Sequence, residues 1–155
     1  ENSGRELVGP EYDMISPHLE PQNIVPESDD GVILVKGTLN GKNVVVISIE
    51  GKFQGGGIGE VSGAKIVAAL EEALDDNKNG KTIYPIIVLD TGGVRLQEAN
   101  YGLLSISEIQ NAVIALKKYV PVIGLVPGRV GSLVVCQLPV LFCHILLLLK
   151  KLELL

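Results

Sequence analysis

Between residues 43 and 126 the chain runs strand, glycine turn, helix, strand, glycine turn, helix, strand, which predicts an α/β fold with right-handed crossovers. Three observations carry this. Tyr84 to Leu89 and Val120 to Val126 are short, continuous apolar runs, the pattern of parallel strands buried on both faces. The segments between the strands repeat their apolar residues at helical spacing. Glycine turns fall directly after the strands, at the carboxyl ends where such sheets place their chemistry.

The 155 residues suit one domain, and 46% hydrophobic with 20% charged residues is the composition of a folded chain. Residues 1–30 read as an irregular acidic arm, with eight carboxylates against one Arg. Pro10, Pro17, Pro21 and Pro26 recur too often there for a helix or central strand. The arm either wraps over a body or partner or is a solvated linker. Val32 to Thr38 and Asn43 to Ile49 form a hairpin, because Asn40-Gly41 supplies the positive-φ pair of a tight turn. The loop Gly51 to Gly59 leads into a helix with Ile66, Ala69, Leu70, Ala73 and Leu74 inside and Glu71, Glu72, Asp75 and Asp76 outside. Gly80 ends it. After the strand at Tyr84–Leu89, Asp90 to Arg95 makes a turn, and a helix is expected from about Gln97 to Lys118. The core thus spans 31–131. Residues 132–155 contain none of the 18 glycines and ten leucines, a break in composition that sets them apart as a tail.

Composition also excludes. A net charge of −5 argues against a nucleic-acid binder. Two cysteines, Cys136 and Cys143, cannot build a disulfide framework or a four-ligand zinc site, and no cluster has metal spacing. The first residues lack the basic and apolar regions of a signal peptide, so the expected location is cytoplasmic. Without an initiator Met the chain reads as a piece of something longer. The histidines, His18 and His144, lie in the arm and the tail, and no Ser sits in a nucleophile elbow.

Any chemistry here is therefore expected of backbone amides, with a general acid supplied from elsewhere, and the glycine turns are the candidates. Gly55, Gly56 and Gly57 precede a helix, so their N–H groups are candidates to hold an anion at its positive end. The run is neither a dinucleotide fingerprint nor a P-loop, and a tight turn for close packing is the alternative reading. Thr91-Gly-Gly-Val-Arg95 is the second candidate. A glycine pair after a buried strand lets successive N–H groups converge on one spot, and that suits a developing oxyanion.

Several strings are familiar. Ser28-Asp-Asp-Gly31, Glu50-Gly-Lys-Phe-Gln-Gly-Gly56, Gly59-Glu-Val-Ser-Gly-Ala-Lys65 and Asp90-Thr-Gly-Gly-Val-Arg-Leu-Gln-Glu-Ala-Asn100 resemble the beta subunit of malonate decarboxylase. More broadly they resemble the amino-terminal half of acyl-CoA carboxyltransferases. The likeness covers about residues 9–131. Biotin-dependent carboxyltransferases typically carry Ser-Gly-Gly-Ala-Arg-Met-Gln-Glu at the second string, so Val94 and Leu96 favour the decarboxylase branch. The resemblance implies an α/β, crotonase-like (ClpP/crotonase) spiral of repeated ββα units, truncated at the C-terminus. It implies a gamma subunit of the same fold as partner, and a malonyl thioester on an acyl carrier protein as substrate. The thioester hangs on the carrier's coenzyme-A-like prosthetic group, with no cofactor bound covalently to this chain. Carried over, Gly92 and Gly93 line the oxyanion site, with the N–H of Gly93 or Val94 as donor to the enolate left by departing CO2. The quenching proton would come from the gamma subunit or water. For Arg95 three roles stay open: pairing with a nearby carboxylate, steering the malonyl group, or a surface position in the helix's first turns.

The tail departs from the family. Ser132 to Pro139 stands where the family has a second glycine turn like Cys-Phe-Gly-Gly-Met, and Val134-Val135 replace its glycine pair. A reading-frame slip after Gly131 explains this, since the shifted codons of Leu133 to Pro139 can encode Phe-Gly-Gly-Met-Ser-Ile-Ala. The alternative takes Val130 to Leu149, 20 residues without a charge, as a membrane span. Lacking the second oxyanion donor, the chain as written is expected to be inactive alone, with one sheet face uncovered. Two rival readings remain: the amino-terminal half of a biotin-dependent carboxyltransferase, and a non-catalytic membrane-anchored binding module.

Overall fold

The computed structural model describes residues 31–98 and 100–127, together with the backbone of three short strands outside them. Two of those, β1 (Arg5–Leu7) and β2 (Asp13–Ile15), pair antiparallel within the acidic arm. The rest of the arm and most of residues 128–155 lie outside the described residues, and with them the expected slip after Gly131 and the Val134-Val135 pair.

The expected hairpin is present as β3 (Val32–Leu39) and β4 (Lys42–Ile49), in register from Val32 opposite Ile49 to Leu39 opposite Lys42. Its two turn residues, Asn40 at φ 50° and Gly41 at φ 76°, are both left-handed, the geometry that matches the strands' own twist. The chain then makes a tight turn at Gln54–Gly56, with three successive positive φ values, and a very short strand, β5 (Gly57–Ile58). Helix α1 (Glu60–Lys78) follows, with Gly80 at φ 80° just past its end, so the sequence's stop signal holds.

The unit repeats. Strand β6 (Tyr84–Val88) leads to a second very short strand, β7 (Gly93–Val94). A single helical turn (Leu96–Glu98), α2 (Tyr101–Leu116) and β8 (Ile123–Val126) complete it. The expected helix from Gln97 is thus two pieces, because Glu98 turns back toward Arg95 instead of continuing outward. Long strands assemble in the order β3-β4-β6-β8-β9, where β9 is Ile145–Leu148 and every pairing except β3–β4 is parallel. The two short strands pair with each other, also parallel, in a second small sheet. Each repeat is therefore long strand, short strand, helix. Strand β9 bears on the tail: Ile145–Leu148, inside the stretch read as a membrane span, is extended. Among the described residues no helix is long and apolar enough to cross a membrane.

One core joins the layers. Val45, Ile47 and Ile49 of β4 and Ile87 of β6 are buried with Ile66, Leu70 and Ala73 of α1 and Ile109, Val113 and Leu116 of α2. The two helices pack on each other where Gly63 meets Ser105, so closely that a Cβ on Gly63 would sit 2.3 Å from the Ser105 Cβ. The opposite sheet face is less covered. Val44 and Val46 are only half-buried, and Ile33 and Val35 of the edge strand β3 are exposed.

Candidate functional site

The two glycine turns, 35 or so residues apart in sequence, lie against one another and form a single structure. Gly51 has no side chain because the Asp90 carboxylate fills that place, 2.3 Å from where a Cβ would be. A Cβ on Gly56 would meet the Asp90 carbonyl at 2.1 Å, and one on Gly57 would meet the Arg95 side chain at 2.8 Å. One on Gly59 would lie 2.4 Å from both carboxylate oxygens of Glu98. Hydrogen bonds follow the same correspondence. The Gly92 N–H donates to the Gly55 carbonyl at 2.7 Å, the Thr91 hydroxyl to the Gly56 carbonyl, and the Arg95 Nε–H to the Gly57 carbonyl at 3.0 Å. Glycine in the first turn is therefore what lets the second dock.

In the first turn the N–H groups of Gly56 and Gly57 donate to the carbonyls of Phe53 and Gln54 within the turn. The start of α1 does hold an anion, but it is the chain's own. The Glu60 N–H donates to Glu98 Oε2 at 2.6 Å, and the Gly59 N–H to Ser62 Oγ at 2.9 Å. A carboxylate at the positive end of a helix is favourable there. The packing alternative weighed for this loop is the one the geometry supports, although Gly55 and Gly57 do line the groove described below.

Arg95 is not a surface residue. Its side chain is 1% exposed and that of its ion-pair partner Glu98, at 3.1 Å, is 0% exposed. The guanidinium also lies over the Phe53 ring, 5.7 Å from its centroid. Of the three roles open at the level of sequence, pairing with a nearby carboxylate is what the structure displays. Nothing in the sequence pointed to Glu98, although its place three residues after Arg95 in a helical turn is the spacing that brings such a pair together.

In the second turn the amides are unequal. The Gly92 N–H is taken by Gly55, and the Gly93 N–H, at φ 124°, by the Thr91 hydroxyl at 3.1 Å. Thr91 is itself buried. In the β5–β7 ladder Gly93 pairs with Gly57, and the Arg95 N–H donates to the Ile58 carbonyl at 2.9 Å. Alternate residues of a parallel strand face the partner, so the Val94 N–H lies on the edge of β7 turned away from β5 and takes no part in that ladder. The side chain of Val94 packs on Gly102 in the first turn of α2, whose missing Cβ would lie 3.2 Å from the Val94 Cβ. The start of α2 therefore adjoins the Val94 side chain.

These residues border a groove of about 410 Å³ lined by Gln54, Gly55, Gly57, Gly92, Val94, Arg95 and Leu96. Leu96 stands at its rim, 87% exposed. The groove lies just beyond the carboxyl ends of β4 and β6. No group of three or more metal-ligating side chains occurs among the described residues. The arrangement offers a backbone donor and a helix end in a concave, partly apolar setting, which is the equipment for stabilising an oxyanion.

Comparison with known proteins identifies the family and the fold. The carboxyl transferase domain matches residues 14–132. The malonyl-S-ACP:biotin-protein carboxyltransferase MADC of Malonomonas rubra is 40% identical over 141 residues, covering 84% of this chain and 44% of that protein. The structure of a Pseudomonas malonate decarboxylase hetero-tetramer in complex with malonate superimposes with a TM-score of 0.70 at 55% identity, over 76% of this chain and 42% of that one. The transcarboxylase 12S structure superimposes with a TM-score of 0.59 at 30% identity, over 64% of this chain and 19% of that one. The chain thus spans less than half the length of these relatives. The fold is the mixed α/β, crotonase-like one of these enzymes. The chain belongs to the carboxyl transferase domain family of enzymes, on its malonate decarboxylase beta-like side.

Proposed function

We propose that this chain is the beta subunit of a biotin-independent malonate decarboxylase. With a gamma subunit, it converts malonyl-S-acyl carrier protein to acetyl-S-acyl carrier protein and CO2. What supports the reading is the place of Val94: it lines the groove, its N–H belongs to the edge of β7 away from the β5 ladder, and its side chain meets the start of α2.

The chemistry follows from what departs. Cleavage of the bond to the carboxylate releases CO2 and leaves its electron pair in an enolate, with most of the negative charge on the thioester oxygen. A donor placed for that oxygen binds the transition state better than the ground state, and one such donor is worth about 3 kcal/mol. In this reading Val94 is the donor, while Gly92 and Gly93 shape the bend, Gly55 and Gly57 form the facing wall, and Arg95 holds the bend in place. A proton from the partner subunit or water then quenches the enolate carbon. The substrate arrives on the carrier protein's coenzyme-A-like arm, so this chain needs no covalent cofactor.

Identity of 55% to a Pseudomonas malonate decarboxylase supports the decarboxylase reading. The Malonomonas relative, named for transfer to a biotin protein, favours the second: the amino-terminal half of a biotin-dependent carboxyltransferase. The test mixes the gamma subunit and malonyl carrier protein with two versions of this chain, one as written and one translated after Gly131 in the frame that gives Phe-Gly-Gly-Met. Release of CO2 by the second version without any biotinylated carrier is the expected result. Transfer of the carboxyl group to a biotinylated carrier, in place of its release as CO2, would replace the first reading by the second. The version as written, with Val134-Val135 where the resemblance implies a further glycine pair, is expected to release none.

A further inference from the structure

We propose that Glu98 is a positioning residue for the Val94 N–H. The inference rests on the reading of Val94 as oxyanion donor, and goes beyond it by naming what fixes that amide. Glu98 has no part in the chemistry above, is closed off from solvent, and is charged. Its two oxygens face different elements: Oε2 accepts from the Glu60 N–H at the start of α1, and Oε1 from Arg95 Nη1. Arg95 then reaches back through Nε–H to the Gly57 carbonyl. Gly57 is the ladder partner of Gly93, and the backbone N–H of Arg95 is tied to Ile58.

These links close a ring: β5, the start of α1, Glu98, Arg95, and back to β5. Val94 sits inside it, between two residues each anchored to β5. Rotation of its peptide plane requires Gly93 or Arg95 to leave the ladder, and the Arg95 side chain opposes that through Glu98. Replacing a buried ion pair by well-packed apolar side chains is often neutral or stabilising, so stability alone does not account for this pair. What the ion pair adds is direction: two forked groups, each holding two partners at set angles. The empty Cβ position of Gly59 is the space that admits the carboxylate.

The test separates stability from positioning with Glu98→Gln, Arg95→Gln and the double variant, all in the full chain translated after Gly131 in the frame that gives Phe-Gly-Gly-Met. Each single variant leaves one buried charge without its partner and is expected to lower the urea midpoint. The double variant removes both charges and is expected to recover at least half of that loss. Two readouts follow position. One is the amide resonance of Val94 in [15N]valine-labelled chain, assigned through Val94→Ile. The other is affinity for acetyl-pantetheine thioester, a non-decarboxylating probe, with the gamma subunit present. In the double variant the resonance is expected to broaden or split and the affinity to fall at least tenfold, despite the recovered stability. A double variant with a single native-like Val94 resonance and affinity within threefold of the parent would overturn the proposal, making Glu98 a structural residue only. If the parent chain itself fails to bind the thioester, the donor reading falls. The Val94 resonance of the double variant then decides the positioning claim alone, splitting supporting it and an unchanged signal overturning it.

Discussion

Replacing Gly59 by alanine isolates one steric contact with little else changed. The Gly59 backbone, at φ −115° and ψ −164°, is extended and open to any residue, so the substitution carries no conformational strain. On the unfolded side, alanine even contributes about 0.4–1 kcal/mol in the protein's favour. The new methyl would lie 2.4 Å from both Glu98 oxygens, whereas ordinary contact begins at 3.4 Å. The carboxylate must therefore retreat by about 1 Å, in a site where overpacking costs about 1–3 kcal/mol. That retreat stretches the bonds to Glu60 N–H and Arg95, and a lost charge-assisted hydrogen bond costs about 1.5–3 kcal/mol more. A net loss of about 1.5–5.5 kcal/mol is expected, read as a lower urea midpoint at constant m-value in circular dichroism. Gly37→Ala is the control. Gly37 lies in β3 with nothing within 4 Å of its Cβ position, so alanine there is expected to be neutral or stabilising by about 0.5–1 kcal/mol. A loss below about 0.5 kcal/mol for Gly59→Ala, inside the range of inconsequential substitutions, would show that Glu98 does not occupy that space.

Other substitutions bear on the scaffold. Gly63→Ala should cost about 1–3 kcal/mol through collision with Ser105, even though alanine is the better helix former, and adding Ser105→Gly should make the pair less damaging than the sum of its parts in urea unfolding. Lys65 Nζ donates to the Val32 carbonyl at 2.6 Å, so Lys65→Met should cost about 1–2 kcal/mol and speed amide exchange at the start of β3. The Lys36–Glu72 ion pair joins β3 to α1 but is about half exposed on both sides, so Glu72→Gln should change stability by less than about 1 kcal/mol, and by nothing measurable in 1 M salt.

How much was legible follows from what each feature depends on. Asn40-Gly41 is a local signal, since both residues must adopt positive φ, and the hairpin is where the sequence placed it. The helix ending before Gly80 and the apolar face at Ile66, Ala69, Leu70 and Ala73 are local too, and both hold. The short strands β5 and β7 were hidden inside the glycine turns, because two residues have no periodicity to read. What the first turn does stayed open in the sequence for a related reason. Glycine before a helix suits both an anion cradle and a close packing contact, and only the distant partner, residues 90–98, decides between them. Arg95 shows the same limit. A charged residue early in a helical turn is usually solvated, and its burial depends on Glu98 and the Gly57 carbonyl arriving together. The exposed side chains of β3 were equally out of reach, because an apolar run does not say which strand will stand at the edge.

The central claim is that the Val94 main-chain N–H, and no side chain of the bend, meets the thioester oxygen. Infrared difference spectroscopy of a bound acetyl thioester with a 13C-labelled carbonyl measures this contact, with the gamma subunit present. A chain in which the peptide N–H of Val94 is replaced by an ester oxygen serves as comparison. The account expects the carbonyl stretch to shift to lower frequency on binding the native chain, and the shift to disappear with the ester. An equal shift in both chains would contradict it.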